Sequence, residues 1–444
     1  MVIDNKNLIR CINLIGVFSY FFVCFFKSFW YKHSILMFTY FTFVFGVTLC
    51  WIGFAAKKQI IRLNFVDLLF ALAVLFVPIS FMFSHIGNKD FNLMSGQCLF
   101  MAGAFFFAIY CSNSKLGIEY SYRIIGLYLI LFVACTIIFQ FTPVFYTTKI
   151  VPWVAPNRAD RILNGYSHGN MSGLTSHYTT NGMYMALAVI IAFVTRITLP
   201  KVDNKKNKKK FATLIFIICL YALLITGKRG PFLFAVAACV FTYYVYLSNK
   251  PRSRLSRLVV ITTFVAILAT VVLTVFPSKF STITRLVDKM GDDEDMTTGR
   301  TILWERAFGL FKKQPITGIG YKQYYANFHA DVHNVYLQLL TETGIIGFII
   351  VILLFGIVLY RTYKMLVNIR KNQKLVDKKN MIDYRFLTFS FCYQIFFLMY
   401  CMTENPFYDL PCMMPYFFSV GICLYYDKWE LKYGRKSKLV KVKL

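Results

Sequence analysis

Between Asp331 and Phe348 the chain reads DVHNVYLQLLTETGIIGF, which sets His333, Asn334, Gln338 and Glu342 directly before the apolar run IIGFIIVILLFGIVLY. An imidazole, two amides and a carboxylate at that spacing suit proton transfer and the recognition of a polar ligand. Asp331 is a good helix N-cap, and a helix started there carries His333 in its first turn. At about 100° per residue Asn334, Gln338, Thr341 and Glu342 share one stripe, with His333 adjacent to it and roughly half a turn away from Glu342. Unpaired backbone N–H groups at a helix start attract an anion such as a diphosphate. The same positive end disfavours imidazolium, so this placement predicts a neutral His333 able to accept a proton. A capped helix with a solvated histidine is the plainer reading of the same residues. Gly344 and Gly347 permit a bend or a close helix contact further on.

Other chemistry-bearing residues stand near other apolar runs. TGKRGP (226–231) holds Lys228 and Arg229 between two such runs. Charges at that depth are costly unless they face protein or water, so they mark a site, although snorkelling anchors look the same. In TTGRTILWERAFGLFKK (297–313) the helical spacing gives Ile302, Ala307 and Leu310 with Trp304, Phe308 and Phe311 as an apolar side. Arg300, Lys312 and Lys313 sit at its ends, which fits a helix lying on a membrane surface. The Pro- and Gly-marked turn QPITGIGYKQY follows. Asp293 and Asp295 in GDDEDM form a D-x-D pair of the kind that holds a divalent metal for a sugar nucleotide. That substrate belongs to the cytoplasm, so an acidic solvated loop without metal is expected here. The 12 cysteines lie in or at the ends of apolar runs without metal-ligand spacing, which argues for packing rather than a disulfide framework or a zinc site.

The elements that must position these residues are membrane helices. Of 444 residues 57% are hydrophobic, and the mean hydropathy is +0.56. The apolar residues fall into runs of about 17–25, the length that crosses a bilayer as a helix. About twelve are expected, near 8–26, 34–55, 65–84, 91–112, 122–142, 178–199, 211–227, 230–248, 258–277, 335–360, 384–402 and 411–426. The first has no small-residue cleavage site and reads as a retained helix. The whole chain, 1–444, reads as one all-α polytopic membrane domain. The formal charge of +29 concentrates in KVDNKKNKKK, NKPRSRLSR, the 361–385 loop and the tail. That is the positive-inside bias, with both termini cytoplasmic, and nucleic acid need not be invoked. It leaves 143–177 and the partly helical 278–334 as large extracytoplasmic segments.

The ordered residues His333, Asn334, Leu337, Glu342, Gly344 and Gly347 resemble the HN-xx-L-xxxx-E-x-G-xx-G signature of the O-antigen ligase and polymerase superfamily. TGKRG resembles that family's T-G-x-R-G turn, with Arg229 at the Arg position. Arg300, Trp304, Pro315, Gly318 and Gly320 match its G-R-xxx-W-xxA…P-xx-G-x-G segment, and GLTSHYTTNGMY (173–184) is similar to a weaker upstream element. The close match covers about 211–360. The resemblance implies an architecture like C-type membrane glycosyltransferases and a glycan donor carried on undecaprenyl diphosphate. It also implies inversion at the anomeric centre and neither metal nor cofactor. Arg229 and Arg300 would bind the diphosphate, and His333 would take the proton of the acceptor hydroxyl or orient that hydroxyl. Lys228, Arg306 and Lys322 are auxiliary phosphate contacts on this reading, and Asn334 and Glu342 support the site. Glu342 is expected to be structural, bonded to Asn334 or to a loop amide.

A preorganised set of cations and a hydroxyl-aiming base is what an already activated donor needs. A polymerase of capsule, O-antigen or exopolysaccharide repeat units in the bacterial cytoplasmic membrane is the leading expectation, because such polymerases are numerous and diverse. An O-antigen ligase, with lipid A-core as acceptor, is the nearest alternative. A non-catalytic lipid-linked glycan transporter is a third. Transporters place ionisable residues at the bilayer midplane, often in two related halves. Here the spans hold little charge beyond Asp67, near a span end, and show no internal repeat.

Overall fold

The computed structural model describes residues 5–31, 36–56, 61, 63, 65–85, 89–154, 158–199, 206–246, 300–371 and 378–440, and every regular element among them is helical. They include α1 (Asn5–Tyr31), α2 (Leu36–Ala55), α3 (Phe65–Met82), α4 (Phe91–Asn113), α5 (Lys115–Phe141), α6 (Ala159–Ser167) and α7 (Tyr178–Thr198). After these come α8 (Lys206–Leu224), α9 (Arg229–Tyr246), α10 (Arg300–Lys313), α11 (Gln323–Phe328), α12 (Val335–Lys371), α13 (Lys378–Tyr400) and α14 (Leu410–Val440). Short helical turns fill Pro143–Val154.

Among the described residues seven helices are long and apolar enough to cross a membrane: α1 to α5, α7 and α12. The expected runs near 211–227, 384–402 and 411–426 fall on α8, α13 and α14, and α9 carries a shorter apolar stretch. The run near 258–277 and the pair Asp293 and Asp295 lie outside the described residues. The last two helices are interior ones: from Leu410 to Leu424 every residue of α14 is buried. A helix apolar all round belongs at the centre of a bundle. Phe397 of α13 stacks on Tyr416 of α14 with centroids 4.1 Å apart. Polar side chains there bond across or along helices, Ser390 to the Ser419 carbonyl at 2.6 Å and Gln394 to Thr362 at 3.0 Å. Interhelical packing and hydrogen bonds of this kind hold membrane helices together.

The bundle has two polar ends. At one, Asp67 in the first turn of α3 faces Lys428 of α14 at 3.4 Å, and Lys428 also donates to Ser112. At the other lie the starts of α7, α9, α12 and α14 and the end of α13. There the chain 314–331 docks on the end of α3: Ser84 Oγ donates to the Ile319 carbonyl, and the Asp90 amide to Gln323 Oε1. Helix α10 forms as the spacing predicts. Only part of its apolar side turns inward, with Ala307 buried and Trp304 and Leu310 packed beside it. Ile302 and Phe308 remain exposed.

Helix α12 is broken at Gly344 (φ 63°, ψ −169°), a backbone conformation that suits glycine. Its partner is Gly318 of the preceding loop (φ 73°): a side chain on Gly318 would overlap the Glu342 carbonyl, and one on Gly344 the Ile316 carbonyl. Two glycines 26 residues apart in sequence therefore close the loop onto the helix. The Ile319 amide donates to Thr341 O at 3.0 Å and the Gly320 amide to Glu342 O at 2.9 Å.

Candidate active site

Helix α12 starts at Val335, and the expected start at Asp331 is corrected. Asn334 Oδ1 accepts from the Leu337 amide at 3.1 Å and so acts as the N-cap. The Val335 amide donates instead to Cys401 O at 2.9 Å, and His333 takes a left-handed φ of 55°. His333 therefore precedes the first turn and stands outside the helix. Two capping residues compete in D-x-x-N, and tertiary contacts select the second. Asp331 instead faces Lys322 Nζ at 3.5 Å.

His333 Nδ1 lies 2.8 Å from Glu404 Oε2, and Arg300 donates to Glu404 Oε1 at 3.1 Å. Glu404 sits in the turn joining α13 to α14. Its carboxylate thus ties the first residue of α10 to the loop ahead of α12. Trp304 Nε1 donates to Val332 O at 3.1 Å, which fixes α10 against the same loop. Burial pushes the Glu404 carboxyl up, but the His333 hydrogen bond and the charges of His333, Lys228 and Arg300 outweigh it and hold it below the usual range. A carboxylate on Nδ1 selects the tautomer with its proton there and leaves the Nε2 lone pair able to accept a proton. Arg300 keeps further N–H donors beyond the one given to Glu404.

The 226–231 turn reaches the same place. Gly230 packs on Tyr400, and Thr403 lies beside it. Arg229 opens α9 there, and Glu404, Arg300 and Arg229 all act on Lys228. Burial lowers the Lys228 ammonium, with Arg300 and Arg229 adding to that and Glu404 opposing it. The chain before α7 docks on the turn: the Met171 amide donates to Ile225 O at 3.0 Å, and Asn170 fills the space over Gly227. His177 caps α7 by accepting from the Thr179 amide at 3.1 Å. Burial, then Lys228, Arg161 and Arg158, push its imidazole down to about 4.

Of the residues expected from sequence, the structure gathers His333, Arg300, Lys228 and Arg229 around the Glu404 turn. Asn334 is the helix cap. Glu342 is fully buried one layer below and accepts from the amides of Lys322 at 2.8 Å and Tyr324 at 3.3 Å. Lys322 spends its ammonium on Asp331 and on the rings of Tyr325 and Tyr408, and Arg306 lies over Phe328 at 4.9 Å. These four build the frame. Sequence reasoning missed Glu404, and it did not single out His177. Each is one polar residue at the end of an apolar run, a pattern shared with ordinary interface anchors.

Residues 214–352 match the family model described as O-Antigen ligase, and no curated protein gives a match. The matched stretch holds Lys228, Arg229, Arg300 and His333 and ends before Glu404. It supports glycosyl transfer of the ligase or polymerase kind. Over that stretch the chain is similar to the O-antigen ligase superfamily, and the match supports that resemblance.

Proposed function

We propose that the chain transfers a glycan from a lipid diphosphate, undecaprenyl diphosphate in a bacterial cytoplasmic membrane, to a sugar hydroxyl at the extracytoplasmic end of the bundle. The observation that carries this reading is the Glu404 carboxylate shared between His333 Nδ1 at 2.8 Å and Arg300 at 3.1 Å, with Lys228 in its field. The acceptor oxygen bonds to the anomeric carbon from the side opposite the phosphate, which inverts that centre. The bond from carbon to phosphate oxygen breaks, and its electron pair leaves with the lipid diphosphate. His333 Nε2 takes the hydroxyl proton while Glu404 steadies the imidazolium that forms. Arg229 and Arg300 hold the departing diphosphate, where a planar guanidinium offers paired donors to phosphate oxygens. No metal enters these steps.

Repeat-unit polymerisation is the preferred outcome, with both termini in the cytoplasm. The description of the matched family favours the second reading, an O-antigen ligase acting on lipid A-core. A transporter would set such a histidine–carboxylate pair near the bilayer midplane, whereas this one lies at the end of the bundle. The decisive test uses the purified full chain in lipid with one defined undecaprenyl-diphosphate repeat unit. Elongation without lipid A-core is expected, together with its loss in His333→Ala. Transfer only when lipid A-core is added would establish the ligase. Full elongation by His333→Ala would remove the base. A chelator should leave the rate unchanged, and a loss rescued by magnesium would overturn the metal-free chemistry.

A further inference from the structure

His177 and Lys228 are two donors at this end of the bundle that the chemistry above does not use. His177 Nδ1 accepts from a backbone amide, which can only donate, so the proton of its neutral ring sits on Nε2. His333 has the opposite arrangement, with Nδ1 against a carboxylate. The His177 ring stacks on Tyr178 with centroids 4.4 Å apart, and Lys228 Nζ lies 4.8 Å over the same Tyr178 ring. Gly182, one turn into α7, brings the helix against the Lys228 side chain, where an added Cβ would stand 3.2 Å from Lys228 Cβ. Among the described residues no carboxylate lies within ion-pair distance of Lys228, and no protein group pairs with His177 Nε2. A half-buried ammonium and a half-buried imidazole therefore share one aromatic ring.

We propose that His177 Nε2–H donates to an oxygen of the lipid-linked diphosphate beside the Lys228 ammonium, so that one histidine serves the departing group while His333 serves the attacking hydroxyl. This rests on the lipid-diphosphate donor assigned above. A neutral donor suits the place. Lys228, Arg161 and Arg158 already supply positive charge there and oppose another cation, while an N–H adds a directed hydrogen bond without repulsion. Fixing the tautomer through the helix cap sets that direction before the substrate arrives.

The test uses the full chain in phosphatidylcholine nanodiscs, with geranyl diphosphate as the probe and affinity read by titration calorimetry. His177→Asn keeps an acceptor for the Thr179 amide and so keeps the cap, but its shorter side chain places no donor where Nε2 stands. It should bind about tenfold more weakly than wild type at an unchanged melting temperature, and Lys228→Met should weaken binding by at least as much. His333→Ala should bind like wild type while losing transfer. Wild-type affinity in His177→Asn would overturn the assignment and leave the diphosphate donor standing. Failure of the wild-type chain to bind the probe would overturn both.

Discussion

The two ends of the helix bundle treat charge in opposite ways. At one end two acids each meet one base, Asp67 with Lys428 at 3.4 Å and Asp427 with Arg361 at 2.5 Å. At the other, Glu404 is shared by Arg300 and His333 with Lys228 also in its field, and Arg158, Arg161 and Arg229 add further positive charge. Exposure follows the same division: the Asp67 side chain is 2% exposed, but His333 is 40% exposed. Closed one-to-one pairs need no further partner. A carboxylate shared among several cations leaves positive charge beside it that an anion can complete. The paired end holds helices together, and on the function proposed above the second serves a ligand.

The largest effect separating the two ends concerns Glu404. Glu404→Gln keeps the shape of the side chain but removes the charge that orients and steadies His333. Its turnover should fall about 10²- to 10³-fold. Affinity for geranyl diphosphate should hold or rise, because a negative charge has left the cationic cluster. The opposite split, normal turnover with weak binding, would mean that Glu404 serves the ligand rather than the histidine.

At the closed end the same kind of change should act on stability alone. Lys428→Met leaves Asp67 buried without its ion-pair partner, and loss of one partner of such a pair costs about 3–5 kcal/mol. Denaturation in lipid should register that loss while transfer per folded molecule stays constant. Adding Asp67→Leu should recover most of it, since apolar replacement of both partners is close to neutral. A change in turnover would join the two ends and break the comparison. Smaller again, Arg300→Lys and Arg229→Lys should each lower kcat/KM about tenfold, since an ammonium keeps the charge but loses the paired donors. Full activity in both would remove the guanidinium clamp.

How much of this was legible beforehand depended on whether a signal repeats. Seven spans were readable because each apolar run states its own length many times over. Arg229, Arg300 and His333 stand out in the sequence because each lies in a motif whose neighbours, such as Gly227, Trp304 and Asn334, have local work to do. Gly318 and Gly344 look like two separate turn signals, and only the fold shows them meeting. The start of α12 was misread because Asp331 and Asn334 are equivalent caps in sequence. The carbonyl of Cys401, far along the chain, decides between them by taking the Val335 amide. Glu404 in CMTENPFYDLPC has no local partner at all, and its meaning comes from Arg300 and His333, 104 and 71 residues away. Long-range pairing leaves no mark on spacing.

The smallest effect tests whether the positive surplus reaches His177. The groups acting on its ring are Lys228, Arg161 and Arg158, which disfavour protonation, and Glu404, which favours it, with burial the largest influence. In the folded chain the imidazole is pushed down to about 4, whereas in an unfolded chain it titrates near 6.5. As the pH falls below 6.5 the unfolded state takes up a proton that the folded state refuses, so stability is lost progressively down to about pH 4. Asn at position 177 does not titrate and keeps the cap. Wild type should therefore lose about 2 °C more melting temperature than His177→Asn between pH 7 and pH 5 in the same nanodiscs. Taking the difference between the two cancels every other titrating group. Parallel curves would show a histidine that charges freely, and the cationic surplus would then stop short of α7.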